Sequence, residues 1–136
     1  MKMADTFRTW GQITGAVNEA EILAKNFESR ITEIKLVLDP YHSGPSIFQD
    51  VGDLWTPGNN TLMGSVFQLL KLKNVAHDVD NYGQLSPEVI IERNPQIIIS
   101  STPDLIYRNP AFNELLPIKN KSIFKSNDDY LGISGP

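Results

Sequence analysis

The residues able to do chemistry are few, and their spacing shapes the first expectations. His42 and His77 lie in separate polar stretches, and neither belongs to a cluster of ligand types at metal-site spacing. Both read as solvated surface histidines, so neither a metal site nor a cofactor is expected. Asp128-Asp129 and the run from Glu114 to Lys121 read as solvated loop charges. No Ser/His/Asp order and no paired carboxylates point to catalysis, and the chain is not expected to be an enzyme. Gly58 to Gly64 opens a helix and could offer backbone N–H groups to an anion. A phosphate loop, however, calls for Gly-Lys-Ser/Thr, and here Gly64 is followed by Ser65 with no lysine before it. A tight turn that packs a helix against a sheet is the better reading.

Aromatic residues in loops are the stronger candidates, and the chemistry they suggest is binding. Trp55 and Thr56 follow a predicted strand, at its carboxyl end. Ligands of open α/β sheets sit outside such ends, and an indole there can stack on a ring-bearing ligand. Tyr107 follows the strand predicted over Ile97–Ser101, Tyr130 follows the last strand, and Tyr82 lies in a polar loop before a short extended piece. Each of the tyrosines reads first as an ordinary half-buried side chain and only second as a ligand contact. Glu88 falls in the first turn of a helix, where the positive helix end favours a carboxylate whatever else it does.

The elements that must position these residues alternate. A short helix is expected over Ala4–Ile13, ending at Gly15, a natural left-handed residue. A longer one follows over Glu19–Leu38, with Asn18 as cap and Glu21 completing a capping box. Leu23, Phe27, Ile31, Ile34 and Leu38 form its apolar stripe, and Asp39-Pro40 ends it. Pro45–Val51 reads as a strand, Gly52–Asn60 as turns, and Thr61–Leu72 as a helix. The stretch 74–83 reads as a loop and Gln84-Leu85 as a short extended piece. Ser86 caps a helix with Pro87 at its first position, ending near Asn94-Pro95. Ile97-Ile98-Ile99 is β-branched and bounded by turn residues, the mark of a buried central strand and the segment expected to be most buried. A short helix over Pro110–Leu115 and a strand over Ser122–Lys125 complete the pattern. This β-α-β-α-β alternation predicts an α/β fold with a mostly parallel sheet of about four strands flanked by helices.

Composition sets the outer limits. The chain has 136 residues, enough for one ordinary domain. With 40% hydrophobic and 21% charged residues it resembles a soluble globular protein. A net charge of −4 without a Lys/Arg cluster argues against nucleic acid. The absence of cysteine excludes disulfides, and no apolar run is long enough to cross a bilayer. The first residues, Met1 to Thr6, carry no apolar stretch behind their charge, so no signal peptide is expected within the chain. The tail stops on Gly135-Pro136, which suggests a truncated domain.

Three stretches resemble the second lobe of the long-helix class of periplasmic binding proteins, which feed iron-siderophore, haem and cobalamin ABC transporters. The first is Trp55-Thr56-Pro57-Gly58-Asn59-Asn60-Thr61-Leu62-Met63-Gly64 with the later Asn74-Val75-Ala76. The second runs from Leu85 through Ser86-Pro87-Glu88 to Asn94-Pro95-Gln96 and Ile97-Ile98-Ile99, and the third is Leu116 to Phe124. Ile13-Thr14-Gly15 and Ala20 add a fourth, weaker match. Two departures stand out: Gln96 replaces the usual aspartate, and the usual Gly-Pro-Arg is cut at Gly135-Pro136.

The resemblance implies a helical segment at 1–40 that includes an inter-lobe helix, and a C-terminal α/β lobe at 41–136. The N-terminal lobe would be absent. It implies a metal-chelate ligand held in a cleft shared with that lobe, with Trp55, Thr56, Tyr82, Tyr107 and Tyr130 as ligand contacts. Glu88 would dock onto the ABC permease subunits. The location implied is periplasmic, or extracellular and membrane-anchored, without membrane insertion. The alternative is a stand-alone α/β interaction module derived from such a lobe, without ligand transport.

Overall fold

The computed structural model describes residues 3–126. They divide into two compact units, one ending at His42 and one beginning at Ser43.

The first unit is a pair of helices, α1 (Met3–Thr14) and α2 (Val17–Leu38). Gly15 turns the chain between them at φ +80°, a conformation that side chains with a Cβ rarely adopt. The helices meet closely at Gly11, where a Cβ would lie 2.3 Å from that of Ala20. Phe7 and Phe27 pack edge to face, 5.9 Å apart. Arg8 spans the pair and donates to Glu21 and Glu28, each at 2.8 Å. Two expectations for α2 are corrected. It starts two residues earlier than expected, and its cap position is Ala16, which makes no side-chain bond, so Asn18 and Glu21 form no capping box. Glu21 instead faces Arg8. The apolar stripe is also displaced: Ala24 is fully buried while Leu23 and Ile34 are exposed, because the Gly11–Ala20 approach turns the small residues inward.

The second unit holds a parallel sheet of four strands in the order β3-β1-β5-β6. These are β1 (Ser46–Asp50), β3 (Lys73–Asn74), β5 (Ile97–Ser100) and β6 (Ile123–Lys125). The α/β class and the parallel sheet therefore stand as expected. Ile47 to Asp50 of β1 pair with Ile97 to Ser100 of β5 in register. A separate antiparallel ribbon joins β2 (Trp55–Pro57) to β4 (Tyr82–Gln84). Helices α3 (Leu62–Leu69), α4 (Pro87–Arg93), α5 (Pro103–Arg108) and α6 (Leu116–Lys119), with a 3-10 turn at Pro110–Phe112, connect the strands. The core gathers Phe48, Ile90, Ile98, Ile106, Phe112 and Ile123 from six of these elements.

Several boundaries differ from the sequence reading. The ribbon lies within stretches read as turn and loop, apart from Gln84, which belongs to the short extended piece expected there. Helices α5 and α6 occupy segments given no element, and the helix expected over Pro110–Leu115 is only the 3-10 turn at Pro110–Phe112. The most buried strand is β1, from Ile47 to Asp50, rather than β5, in which Ile97 and Ile99 are only half-buried. Both strands are central, but β1 also contacts β2. Ser86 does cap α4, accepting from Val89 N, with Pro87 at its first position. Asn94 closes it at φ 37°. Gln96, the departure from the family pattern, accepts from Ser46 N through its side chain at 3.0 Å and so ties the entrances of β1 and β5.

Candidate ligand-binding site

The strand order turns around between β1 and β5. The chain leaves β1 for β3 on one side and returns to β5 on the other. Outside the carboxyl ends of two such strands the connecting loops diverge and leave a crevice, the usual ligand position in open α/β sheets. The last residues here are Asp50 on β1 and Ser100 on β5, partners in the register.

Asp50 is 2% exposed, and both of its carboxylate oxygens accept hydrogen bonds. One oxygen accepts from Gly52 N at 2.9 Å and Leu54 N at 3.0 Å. The other accepts from Ser100 Oγ at 2.5 Å. Ser100 Oγ in turn accepts from Thr102 N, the backbone just ahead of α5. The turn after β1 is forced into unusual backbone, with positive φ at Gly52, Asp53 and Leu54. Val51 N then donates to Trp55 O, and Trp55 N to Gly52 O.

This turn delivers Trp55 to the ribbon. Trp55 faces Gln84 across the pair, and Pro57 faces Tyr82. Since alternate residues of a strand share a face, Trp55 and Tyr82 stand on one side of the ribbon. Trp55 is 45% exposed and Tyr82 38%. Thr56 lies on the opposite side, fully buried, and no hydrogen-bond partner is found for its hydroxyl. The structure therefore separates Thr56 from the exposed aromatic pair. Gln84 donates to the carbonyl and carboxylate of Asp53, tying the ribbon to the turn.

The far end of the ribbon is locked as firmly. Asn74 donates to Pro57 O and accepts from Ala76 N, while Gly58 N donates to Asn81 O at 2.7 Å. Thr61 caps α3 by accepting from Gly64 N and donates to Gly58 O. The Gly58–Gly64 segment is thus the tight turn expected. A Cβ on Gly64 would come within 2.4 Å of Gly58 O. Arg93 forms a two-pronged ion pair with Asp78, both bonds at 2.7 Å, and donates to Val75 O. The guanidinium lowers the Asp78 pKa to about 2. It pins the stretch that leads into β4.

The remaining candidates scatter. Tyr107 is exposed on α5, a helix rather than the loop expected. Tyr130 lies outside the described residues. Glu88 is exposed in the first turn of α4, where a hydrogen bond from Ser86 lowers its pKa. Asp50, Ser100 and Arg93 went unnoticed in the sequence. The only signal available was an acidic residue closing an apolar strand. No group of three or more potential metal ligands occurs among the described residues, and none of the described helices is long and apolar enough to cross a membrane.

A four-stranded parallel sheet flanked by helices, with its strand order turning around at β1 and β5, defines an open α/β domain. The chain belongs to the periplasmic binding protein family, whose model matches residues 2–130. That family consists of binding proteins rather than enzymes.

The chain is similar to an uncharacterized ABC transporter substrate-binding lipoprotein, YvrC, of Bacillus subtilis, at 25% identity over 134 residues. The match covers 93% of this chain and 43% of the relative. It is 30% identical over 96 residues to a cobalamin-binding protein of Halobacterium salinarum, with 68% and 26% covered. Among solved structures, a possible iron-binding periplasmic solute-binding protein from Staphylococcus epidermidis superposes with a TM-score of 0.85 at 27% identity. That superposition covers 98% of this chain and 55% of the other. The vitamin B12 binding protein BtuF of Vibrio cholerae shares the fold, with a TM-score of 0.80 at 20% identity and 52% of that chain covered. The chain thus spans about half the length of these relatives, or less.

Proposed function

We propose that the chain is the C-terminal lobe, with the inter-lobe helix, of a substrate-binding protein that delivers a metal chelate to an ABC importer. Residues 1–40 supply the helical segment and residues 41–136 the lobe. The chelate is a ferric siderophore, haem or a corrinoid. Relatives named for cobalamin and for iron support that class. The observation that carries the reading is the exposed Trp55–Tyr82 face, mounted on a braced ribbon outside the carboxyl ends of β1 and β5. A planar or ring-bearing chelate offers such a face large contact areas.

In this reading Trp55 and Tyr82 touch ligand, with Tyr107 and Tyr130 at the rim. Thr56, being buried, packs behind Trp55 instead of reaching the ligand. Glu88 meets a basic residue of the permease, since exposed rim charges set encounter and register. The protein works outside the cytoplasmic membrane, in the periplasm or anchored at the cell surface, as the lipoprotein relative suggests.

The full-length gene product, titrated with cyanocobalamin, ferric desferrioxamine and haemin, tests the reading. One of the three should bind, and Trp55→Ala should weaken it roughly threefold to tenfold, the worth of about 0.5–1.5 kcal/mol of aromatic contact. Unchanged affinity in Trp55→Ala would remove this face from the ligand.

A further inference from the structure

We infer that the buried carboxylate of Asp50 is the positioning residue of the ligand-facing ribbon: it sets the pose of Trp55, and Ser100 holds it in place. The inference deepens the reading above and depends on it only for the contact between Trp55 and ligand.

The hydrogen bonds give the carboxylate this reach. One oxygen of Asp50 holds Gly52 N and Leu54 N, and the other holds Ser100 Oγ. Ser100 Oγ carries Thr102 N in addition. A single carboxylate thus joins both strands that flank the crevice. It also fixes the first backbone groups of the turn to Trp55 and of the segment entering α5, which bears Tyr107. Thr102, at the cap position of α5, makes no side-chain cap of its own.

The turn needs such a holder. Three successive residues have positive φ: Gly52 at 125°, Asp53 at 49° and Leu54 at 60°. Leucine persists in that region only where its surroundings over-determine it. Two of the ties that do so end on Asp50, and a third, from Gln84, reaches Asp53. With the carboxylate gone, Leu54 keeps the Leu85 N–H on its carbonyl but loses the tie on its own N–H, so the strained turn ahead of it loosens. The residue displaced first is Trp55, whose own N–H and C=O close the turn.

Fluorescence of the 136-residue chain in a Trp10→Phe background, where Trp55 is the sole indole, tests this without any ligand. Asp50→Ala should shift Trp55 emission to the red and raise its quenching by acrylamide under folding conditions. Asp50→Asn should restore the parent signal. Its amide oxygen can still accept from Gly52 and Leu54, and its amide N–H can donate to Ser100 Oγ. Ile98→Val, a core change, should lower the urea midpoint yet leave the Trp55 signal alone.

A folded Asp50→Ala protein with the parent signal overturns the proposal, as does Ile98→Val shifting the signal equally. Should Asp50→Ala not fold, Ser100→Ala decides, because loss of that clasp must also move Trp55. A separate failure stays visible. If Trp55 moves in Asp50→Ala but Trp55→Ala leaves cyanocobalamin, ferric desferrioxamine and haemin binding of the full-length product unchanged, the ligand reading falls and the positioning role stands.

Discussion

Arg93 shows what a single side chain can fix. Its guanidinium anchors the segment before β4 through Asp78 and Val75 O. The ion pair holds the Asp78 carboxyl at about 2, below its ordinary value of 3.8. A depressed carboxyl pKa adds stability that is complete above the unfolded pKa and fades as pH falls through the folded one. Urea midpoints of the parent and Asp78→Asn should therefore differ by a constant amount above about pH 5 and converge toward about pH 2. A gap that persists at the acid end would mean that the pair is not its source. Glu88 makes the opposite demand. It is exposed, so Glu88→Gln should change stability little, while Glu88→Arg should impair uptake by the full-length protein without altering ligand affinity. Loss of ligand affinity in Glu88→Arg would place the residue on the wrong surface. Neither the Arg93–Asp78 pair nor the Asp50–Ser100 clasp was legible in the sequence, because the partners lie 15 and 50 residues apart. Ser86, by contrast, announces its role through Pro87 and the apolar run behind it.

Among the elements, the helix start at Ser86 and the strands β1, β5 and β6 were read from local signals, the Asn18–Glu21 capping box was misread, and the ribbon was missed. Gly15, the Ser86-Pro87 start and the isoleucine run each carry their own instruction. The ribbon does not. Trp55-Thr56-Pro57 contains a proline and sits in a turn-rich stretch, and it becomes a strand only when Tyr82-Gly83-Gln84 lies beside it. Position 83 suits that pairing, since a Cβ there would come within 2.8 Å of the Val79 side chain. Burial was misjudged for a similar reason. β1 has fewer β-branched residues than β5, yet β2 also contacts it. Amide exchange should accordingly be slowest in Ile47–Asp50. A slower β5 would mean that the ribbon opens before the sheet does. At the start of α3, Thr61→Ala should cost about 0.5–2 kcal/mol, as loss of a hydroxyl cap does. Gly64→Ala should cost about 1–3 kcal/mol, because its methyl group would meet the Gly58 carbonyl. Thermal denaturation of both variants checks the ranking.

At the scale of the molecule the two units have unequal resources. The core from Phe48 to Ile123 belongs wholly to the second. The first rests on the Gly11–Ala20 approach, the Phe7–Phe27 contact and the Arg8 ion pairs, while Trp10, Ile13, Leu36 and Val37 are at least 60% exposed. A groove of about 240 Å³ between α1 and α2, lined by Phe7, Trp10, Ala20 and Leu23 among others, remains open. Residues 43–136 should therefore unfold cooperatively when expressed alone, whereas residues 1–42 alone should show only partial helicity by circular dichroism, as short helices without a packed face do. Full helicity of the 1–42 peptide would show that the pair needs no further support.

The clasp between Asp50 and Ser100 also has a consequence in time. It joins residues 50 apart in the chain, so the loop between them must close before β1 and β5 can pair with each other, and long-range closures of this kind slow folding. The ribbon's own strands can meet sooner, but the Asp50 carboxylate that holds the turn feeding Trp55 lacks its Ser100 clasp until β5 arrives. A refolding chain should regain helical signal first and the native Trp55 emission last. Until that final phase it would carry its aromatic pair without a fixed pose, so ligand competence would mark completed assembly.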